Sequence, residues 1–355
     1  MSISPFDHPF LSGLFGDSQV AQLLSAEEDV RGMLTFEAAL AKSEAHHGII
    51  PMAAAALIKN ACDDIEVDWD DLRLGTATDG VVIPALVRQL RAKVGGEYGQ
   101  YVHFGATSQD VIDTSLILRL KRVVLLLQNS LTIVIEGLAE LDKKFGDVPL
   151  MGRTRMQRAL PISASHRIGE WMTPLRAHLL ALERLSPQLL QVQFGGAVGT
   201  LDKLGAAGLQ VRETLANELS LSNSNECWHT SRHELVNFAN WLSVVSGSLG
   251  KIGHDVVLMA QNEMGEVRLK TAGGSSAMPH KQNPVQGELL TTLAKFNGTQ
   301  ISAMHQAVLH ENERSGSSWA LEWMILPQMV MTTATGLRVS SEMISNIEEI
   351  CPSKK

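Results

Sequence analysis

Long stretches of the chain carry apolar residues at helical spacing. The clearest is Asp110–Phe145, which contains no proline and a single glycine, Gly137. Its leucines, isoleucines and valines recur every three or four residues over a broad face, which predicts a helix roughly 50 Å long at about 1.5 Å per residue. The same spacing over Ile162–Leu185 predicts a second helix, in which Pro174 is expected to produce a kink.

Further helices are predicted before and after these two segments. Asp17–His46 carries the helical pattern and is followed by the helix stops Gly48 and Pro51. Helical spacing, or the absence of proline, also predicts helices within the approximate ranges 64–99, 205–220, 231–266, 284–310 and 319–349. No useful length of alternating polar and apolar residues indicates a strand.

The pattern therefore predicts an all-α fold built around a bundle of long helices. We expect a small N-terminal helical region over residues 1–100, a central long-helix bundle over 101–345 and a short C-terminal tail over 346–355. Helices of this length bury their apolar residues poorly in isolation, so association of several subunits through their bundles is expected.

Composition narrows the functional classes. The 355 residues include 30 basic and 38 acidic side chains, a net charge of −8, which argues against a general nucleic-acid binder. No apolar stretch is expected to span a membrane, and the first residues do not resemble a signal peptide. The three cysteines are far apart and lack metal-site spacing, so neither a disulfide framework nor a zinc site is expected, and a cytoplasmic location is favoured.

Four segments interrupt the helical pattern with polar residues and glycines that no core requires. They are His103–Thr114, Gly152–Pro161, Gly273–Pro284 and His310–Trp323, each at the end of a predicted long helix. Loops displayed by a rigid scaffold commonly carry function. In the third segment, glycines and serines indicate a loop that opens and closes, and its lysine and asparagine suit a carboxylate. A plain surface loop before a helix is the alternative interpretation.

Three of these segments resemble known signatures. GSSAMPHKQNP, residues Gly274–Pro284, resembles the signature of the fumarase/aspartase superfamily. HFGATSQDVIDT resembles the first signature region of that superfamily, and GRTRMQRALP resembles the second. The three occur in the expected order and spacing, and the resemblance covers most of the chain.

The resemblance implies a fumarase/aspartase-like fold and a homotetramer whose active sites are assembled from loops of three subunits, with no metal and no organic cofactor. The shared chemistry is proton transfer at the carbon α to a carboxylate, through an aci-carboxylate intermediate, and Ser275 is the implied proton-transfer residue. The residues expected to bind substrate are His103, Thr107, Ser108, Arg153, Gln157, Lys281, Asn283 and Arg314. For His103, a purely structural role is the alternative.

The second motif separates branches of the superfamily. Lyases that cleave C–N bonds read close to THxQ, whereas this chain reads Thr154-Arg155-Met156-Gln157 and lacks the histidine. A departing amine needs an acid, but a carboxylate with a pKa near ~4 does not. The motif therefore favours the lactonizing branch, with a small tricarboxylate as substrate. Arg155 either adds positive charge for that substrate or points to solvent.

Other segments favour the same branch. HENERSGSSWALEW, TFEAALAKSEAHHGIIP and WHTSRHE resemble its members, although His233 stands where an aspartate is expected. That departure leaves the expected role of Arg232 intact. The C-terminal helical region is short for the superfamily. The alternatives are a C–N lyase such as adenylosuccinate lyase and a non-catalytic helical oligomer.

Overall fold

Helices dominate this computed structural model, which describes residues 4–224, 226–274, 278 and 281–352. The N-terminal part forms α1 (Ser12–Phe15), α2 (Ser18–Leu23), α3 (Ala26–His46), α4 (Met52–Asp64), α5 (Trp69–Asp79) and α6 (Ile83–Val94), followed by a 3-10 turn at Gly96–Tyr101. The rest forms α7 (Ser108–Phe145), β1 (Pro149–Thr154), β2 (Gln157–Ser163), α8 (Ala164–Leu189), a 3-10 turn at Asp202–Ala207, α9 (Gly208–Leu219), α10 (His233–Met259), β3 (Val267–Leu269), α11 (Val285–Ala307), α12 (Ser317–Asn346) and β4 (Ile347–Ile350).

The long helix α7 is the centre of the bundle. Leu127, Leu131 and Leu138 on its buried face are fully inaccessible, and the helix packs against α3, α8 and α12. By length and composition alone α7 could cross a membrane, a test that the core helix of a bundle also passes. The prediction of an all-helical bundle is confirmed.

Helices α10 and α11 pack closely because small residues face each other. A Cβ atom at Gly253 would lie 2.7 Å from the carbonyl oxygen of Gly287, so neither position tolerates a side chain without a shift. Gly253 lies near the end of α10 and Gly287 near the start of α11. The end of α10 and the start of α11 therefore lie at the same end of the bundle.

The expectation that no strand would form was wrong at two short places. β1 and β2 form an antiparallel hairpin in the segment expected to be a loop. β3 pairs with β4, and β4 lies within the expected C-terminal tail. Alternation is absent from β2 because most of its residues are exposed on both faces. The hairpin turn consists of Arg155 and Met156, whose φ angles of 50° and 66° match the left-handed turn that two-residue hairpins require.

Gly75 lies inside α5. Its lack of a side chain serves packing, because a Cβ atom there would lie 2.7 Å from the Cβ of Ala85 on α6. The division of the chain at residues 100 and 345 stays a prediction.

Candidate active site

The predicted site residues occupy two positions along the bundle. His103, Thr107, Ser108 and Arg314 lie at the start of α7 and form what we call the amino-end cluster. Arg153 and Gln157 lie in the hairpin that follows the end of α7. Because α7 has 38 residues, the two positions are roughly 57 Å apart along its axis.

Asp110 organises the amino-end cluster from a fully buried position. The backbone N–H of Thr107 donates to its Oδ2 atom at 3.0 Å, as in a capping box, and thereby starts α7. The backbone N–H groups of Gly195 and Gly196 donate to the two oxygens at 2.8 and 2.9 Å. The glycine loop after α8 is thus held against the loop that carries His103 and Thr107.

Arg314 joins this cluster from the fourth polar segment. Its Nε atom donates to Oε1 of Gln109 at 3.1 Å, and one terminal nitrogen donates to the carbonyl of Ala197 at 3.0 Å. Gln109 in turn donates to the carbonyl of His229 at 2.8 Å. These partners are neutral, so they position the guanidinium without neutralising its charge.

His229 is buried beside the amino-end cluster, and the motifs had given it no role. Its Nε2 atom donates to Oδ1 of Asp110 at 2.8 Å. Burial lowers the pKa of His229, but the hydrogen bond with Asp110, together with the thiol of Cys227, outweighs burial and raises it to about 9. Asp110 was detectable in the sequence through its capping-box spacing from Thr107, whereas nothing local pointed to its pairing with His229.

A buried ion network lies next to the amino-end cluster. Arg232 is fully buried and donates to both oxygens of Asp113, at 2.6 and 3.0 Å, and to both oxygens of Glu322, at 2.9 and 2.5 Å. The indole Nε1 of Trp319 donates to Asp113 at 3.0 Å. The role of Arg232 is therefore to tie α7, α10 and α12 together at this end of the bundle.

At the other end, Arg153 and Arg167 share one carboxylate. They donate to the two oxygens of the buried Glu266 at 2.8 and 3.2 Å. These residues line a cavity of about 670 Å³ between the hairpin, α8 and α10, which His166 and His254 also border. Gln157 is exposed at the start of β2, beside the hairpin turn.

Lys281 and Asn283 lie at this same end, just before α11. An isolated antiparallel bridge joins Gly273 to Asn283, with N–H···O distances of 2.9 Å in both directions, and closes the base of the predicted catalytic loop. Lys281 is exposed. Ser275 and His280 lie outside the described residues. We call Arg153, Gln157, Lys281 and Asn283 the carboxyl-end cluster.

The two clusters share a chemistry. Each presents at least one cationic side chain beside amide, hydroxyl or backbone hydrogen-bond donors, the combination that binds carboxylates. In the part of the chain that the structure describes, no group of three or more His, Cys, Asp or Glu side chains is arranged to hold a metal ion. The arrangement suits an anionic organic substrate.

Comparisons with known proteins agree with the motifs. A family model described as lyase matches residues 7–296. The 3-carboxy-cis,cis-muconate cycloisomerase of Pseudomonas aeruginosa is 41% identical over 90% of this chain and 71% of its own, and that of Pseudomonas putida is 38% identical over 92% and 79%. A crystal structure of the 3-carboxy-cis,cis-muconate lactonizing enzyme from Pseudomonas putida superposes with a TM-score of 0.91 at 36% identity, covering 97% of this chain and 77% of that one. The chain therefore belongs to this lyase family, the fumarase/aspartase superfamily that its three motifs indicate.

Proposed function

We propose that this protein is a 3-carboxy-cis,cis-muconate cycloisomerase. The observation that carries the proposal is the hairpin turn, where Arg155 stands in place of the lyase histidine in a chain 34–41% identical to four relatives named for this reaction. The reaction fits a place in the protocatechuate branch of the β-ketoadipate pathway, in the cytoplasm. Nucleic acid and membrane are not expected partners.

The chemistry is an isomerisation that neither gains nor loses carbon or oxygen atoms. One substrate carboxylate adds across a double bond and forms the ring C–O bond, and the electron pair moves into the neighbouring carboxylate as an aci-carboxylate. Ser275, the residue implied by the superfamily signature, then gives its proton to carbon, which yields 4-carboxymuconolactone. The serine oxygen regains a proton from solvent, so the trianionic substrate takes up one proton in all as it becomes the lactone dianion. Arg153, Lys281, Asn283 and Arg314 hold the three carboxylates during ring closure.

A C–N lyase such as adenylosuccinate lyase is the second candidate. His166 on α8 and His254 on α10 line the cavity beside the hairpin, so an imidazole is available there even though the motif position holds Arg155. Such an acid lowers the barrier to departure of an amine. This observation keeps the alternative testable.

A substrate comparison decides between these candidates. Purified protein is offered 3-carboxy-cis,cis-muconate and adenylosuccinate separately, and turnover is followed by absorbance. We expect turnover of the first only. Turnover of the second alone would refute the proposal, and turnover of neither would favour a non-catalytic helical oligomer. Ser275→Ala is expected to lower kcat by a factor of roughly 10³ or more, since proton transfer contributes several kcal/mol; a loss of tenfold or less would remove Ser275 from this role.

The active site is proposed to be shared between subunits of a homotetramer. The two clusters lie roughly 57 Å apart along α7, so they cannot hold one small molecule within a single chain. The bundle also exposes apolar side chains that a monomer leaves in water: Leu125, Ile133, Leu180 and Val244 are each more than half exposed. Packing of bundle against bundle covers such residues and brings opposite ends of different chains together.

Subunit mixing tests this arrangement. His103→Asn lies in the amino-end cluster and Ser275→Ala belongs to the carboxyl-end loop. If each site draws these residues from different chains, co-expression in equal amounts restores about a quarter of the sites, because both contributing chains must carry the native residue. If each site lay within one chain, the mixture would show no more activity than the average of the two variants. Size-exclusion chromatography with light scattering reports the tetramer.

A further inference from the structure

A buried carboxylate on α3 contacts the histidine of the amino-end cluster. Oε1 of Glu37 lies 2.6 Å from Nδ1 of His103, although 66 residues separate the two along the chain. The Glu37 side chain is only 1% exposed. A carboxylate this deeply buried is costly unless it is paired, so the contact is a built feature of the fold.

The loop around His103 has a constrained backbone. His103 has a φ of 62°, a conformation that few residues other than glycine adopt. Gly105, two residues later, has a φ of 70°, and a Cβ atom there would lie 3.1 Å from the side chain of Leu204. The chain thus turns sharply just before α7 and presents the His103 ring towards α3.

This orientation gives the two ring nitrogens of His103 different surroundings. Nδ1 donates to Glu37, which fixes the orientation of the ring. The side chain remains 14% exposed, and Nε2 has no hydrogen-bond partner among residues 4–224, 226–274, 278 and 281–352. Nε2 is therefore the nitrogen available to a ligand in the loop that also carries Thr107 and Ser108.

Charged groups from three elements determine the ionisation of His103. Burial lowers the pKa of His103, but the charge and hydrogen bond of Glu37 on α3 raise it, and Asp110 on α7 adds to the increase. Arg91 on α6 acts in the opposite direction, and the net result is a raised pKa. The cationic form, with a proton on each nitrogen, is thereby favoured.

We propose that Glu37 is a positioning residue: it fixes the ring of His103 and holds it in the cationic form, so that the Nε2–H group binds a carboxylate of the substrate. The inference rests on the proposed function for the identity of that substrate. Glu37 itself does not reach the ligand, since its carboxylate is buried and faces Nδ1. Its effect is transmitted entirely through His103.

Glu44 provides a matched control on the same helix. It lies two turns after Glu37, is equally buried, and neither of its oxygens has a hydrogen-bond partner among the described residues. Burial, reinforced by Glu37, raises the pKa of Glu44 to about 9, so it is neutral at pH 7. Glu44→Gln and Glu37→Gln are the same chemical change at similar burial, but only the second removes a charge next to His103.

The experiment measures ligand binding and turnover between pH 6 and 9. Binding is measured by calorimetry with tricarballylate, a tricarboxylate without a double bond to react, and turnover with 3-carboxy-cis,cis-muconate. In the wild type, affinity weakens as His103 loses its proton. Glu37→Gln is expected to shift this weakening to lower pH by about one unit or more, because a carboxylate within hydrogen-bond distance shifts a pKa by that amount. KM rises at pH 8 with little change in kcat.

Three further variants make the test specific. The pH profile of Glu44→Gln is expected to coincide with that of the wild type. Glu37→Asp keeps the charge, so its profile is expected to shift less than that of Glu37→Gln. His103→Asn removes the pH-dependent weakening, and adding Glu37→Gln to it changes nothing more. Circular dichroism and size-exclusion chromatography report whether each variant folds and assembles; if Glu37→Gln does not, Glu37→Asp and the His103→Asn profile decide.

The outcomes separate this inference from the proposed function. An unshifted pH profile in Glu37→Gln, equal effects of Glu37→Gln and Glu44→Gln, or wild-type affinity that does not weaken with pH would each overturn the role of Glu37. If the calorimetric profile shifts as expected but 3-carboxy-cis,cis-muconate is not turned over, the role of Glu37 stands and the proposed function fails.

Discussion

Removal of the buried guanidinium of Arg232 tests the ion network next to the amino-end cluster. Arg232→Met deletes four hydrogen bonds and leaves the carboxylates of Asp113 and Glu322, which are 1% and 2% exposed, without their guanidinium partner. Breaking a buried pair by removing one partner typically costs about 3–5 kcal/mol, most of it from the stranded charge. We expect a decrease of that size in the free energy of unfolding.

The control is an ion pair of similar chemistry on the surface. Arg268 contacts Glu348 and Glu349 from a side chain that is 58% exposed, so Arg268→Gln is expected to lower the free energy of unfolding far less than Arg232→Met. Urea unfolding followed by circular dichroism compares the variants at one protein concentration, because subunit association contributes to the measured stability.

A triple variant separates stranded charge from lost packing. In R232M/D113N/E322Q the same guanidinium is absent, but no buried charge remains, and an amide oxygen still accepts from Trp319 Nε1. Because neutral replacement of a buried ion network is often tolerated, we expect recovery of at least half of the loss. A triple variant as unstable as Arg232→Met, or an Arg232→Met no weaker than Arg268→Gln, would refute the reasoning.

Three other changes have expected outcomes. Because the pKa of His229 is raised to about 9, its contribution to stability is complete below about pH 6.5 and is lost as the pH rises through 9. In the wild type, the free energy of unfolding should therefore fall by on the order of 3 kcal/mol across that interval. We expect this fall to be absent from unfolding measurements on His229→Gln. The pKa of Glu44 is also raised to about 9, so the wild type loses stability as the pH rises from about 4.5 towards 9, and Glu44→Gln should be more stable than the wild type at pH 8 but not at pH 4.5. Arg155→Asn with Met156→Gly supplies the residues that a left-handed two-residue turn prefers and should raise the free energy of unfolding by about 1–2 kcal/mol. If the same pair of changes raises KM, Arg155 binds substrate; an unchanged KM identifies it as a solvent-facing turn residue.

Helical periodicity predicted the bundle well because each long helix has its own apolar face. Asp110–Phe145 was predicted and Ser108–Phe145 is observed, since Thr107 and Asp110 form a start signal that is local in sequence. The hairpin was missed because its local signal is weak: β2 is mostly exposed, and its turn uses Arg155 and Met156 where asparagine and glycine are the usual indicators.

The site residues were predicted from motifs, but their partners were not. Glu37 and His103 are 66 residues apart, and Arg153 and Glu266 are 113 residues apart. Spacing along one helix says nothing about which distant carboxylate will approach a cation, because that depends on how helices cross. The motifs locate the cations of the site, whereas the fold determines which of them remain uncompensated.

The distribution of those charges supports a shared site on electrostatic grounds. Among the predicted substrate-binding residues at the amino end, His103 is matched by Glu37, which leaves the charge of Arg314. At the carboxyl end, Arg153 and Arg167 share Glu266, which leaves one charge, and Lys281 forms no ion pair with a carboxylate within the described ranges. A tricarboxylate carries three negative charges, so neither end alone balances it, whereas the two ends together supply three. We therefore expect tight binding of a tricarboxylate only in the assembled oligomer, and a dissociated subunit that retains its helical content should bind tricarballylate at least tenfold more weakly, since 1.4 kcal/mol of lost attraction corresponds to that factor.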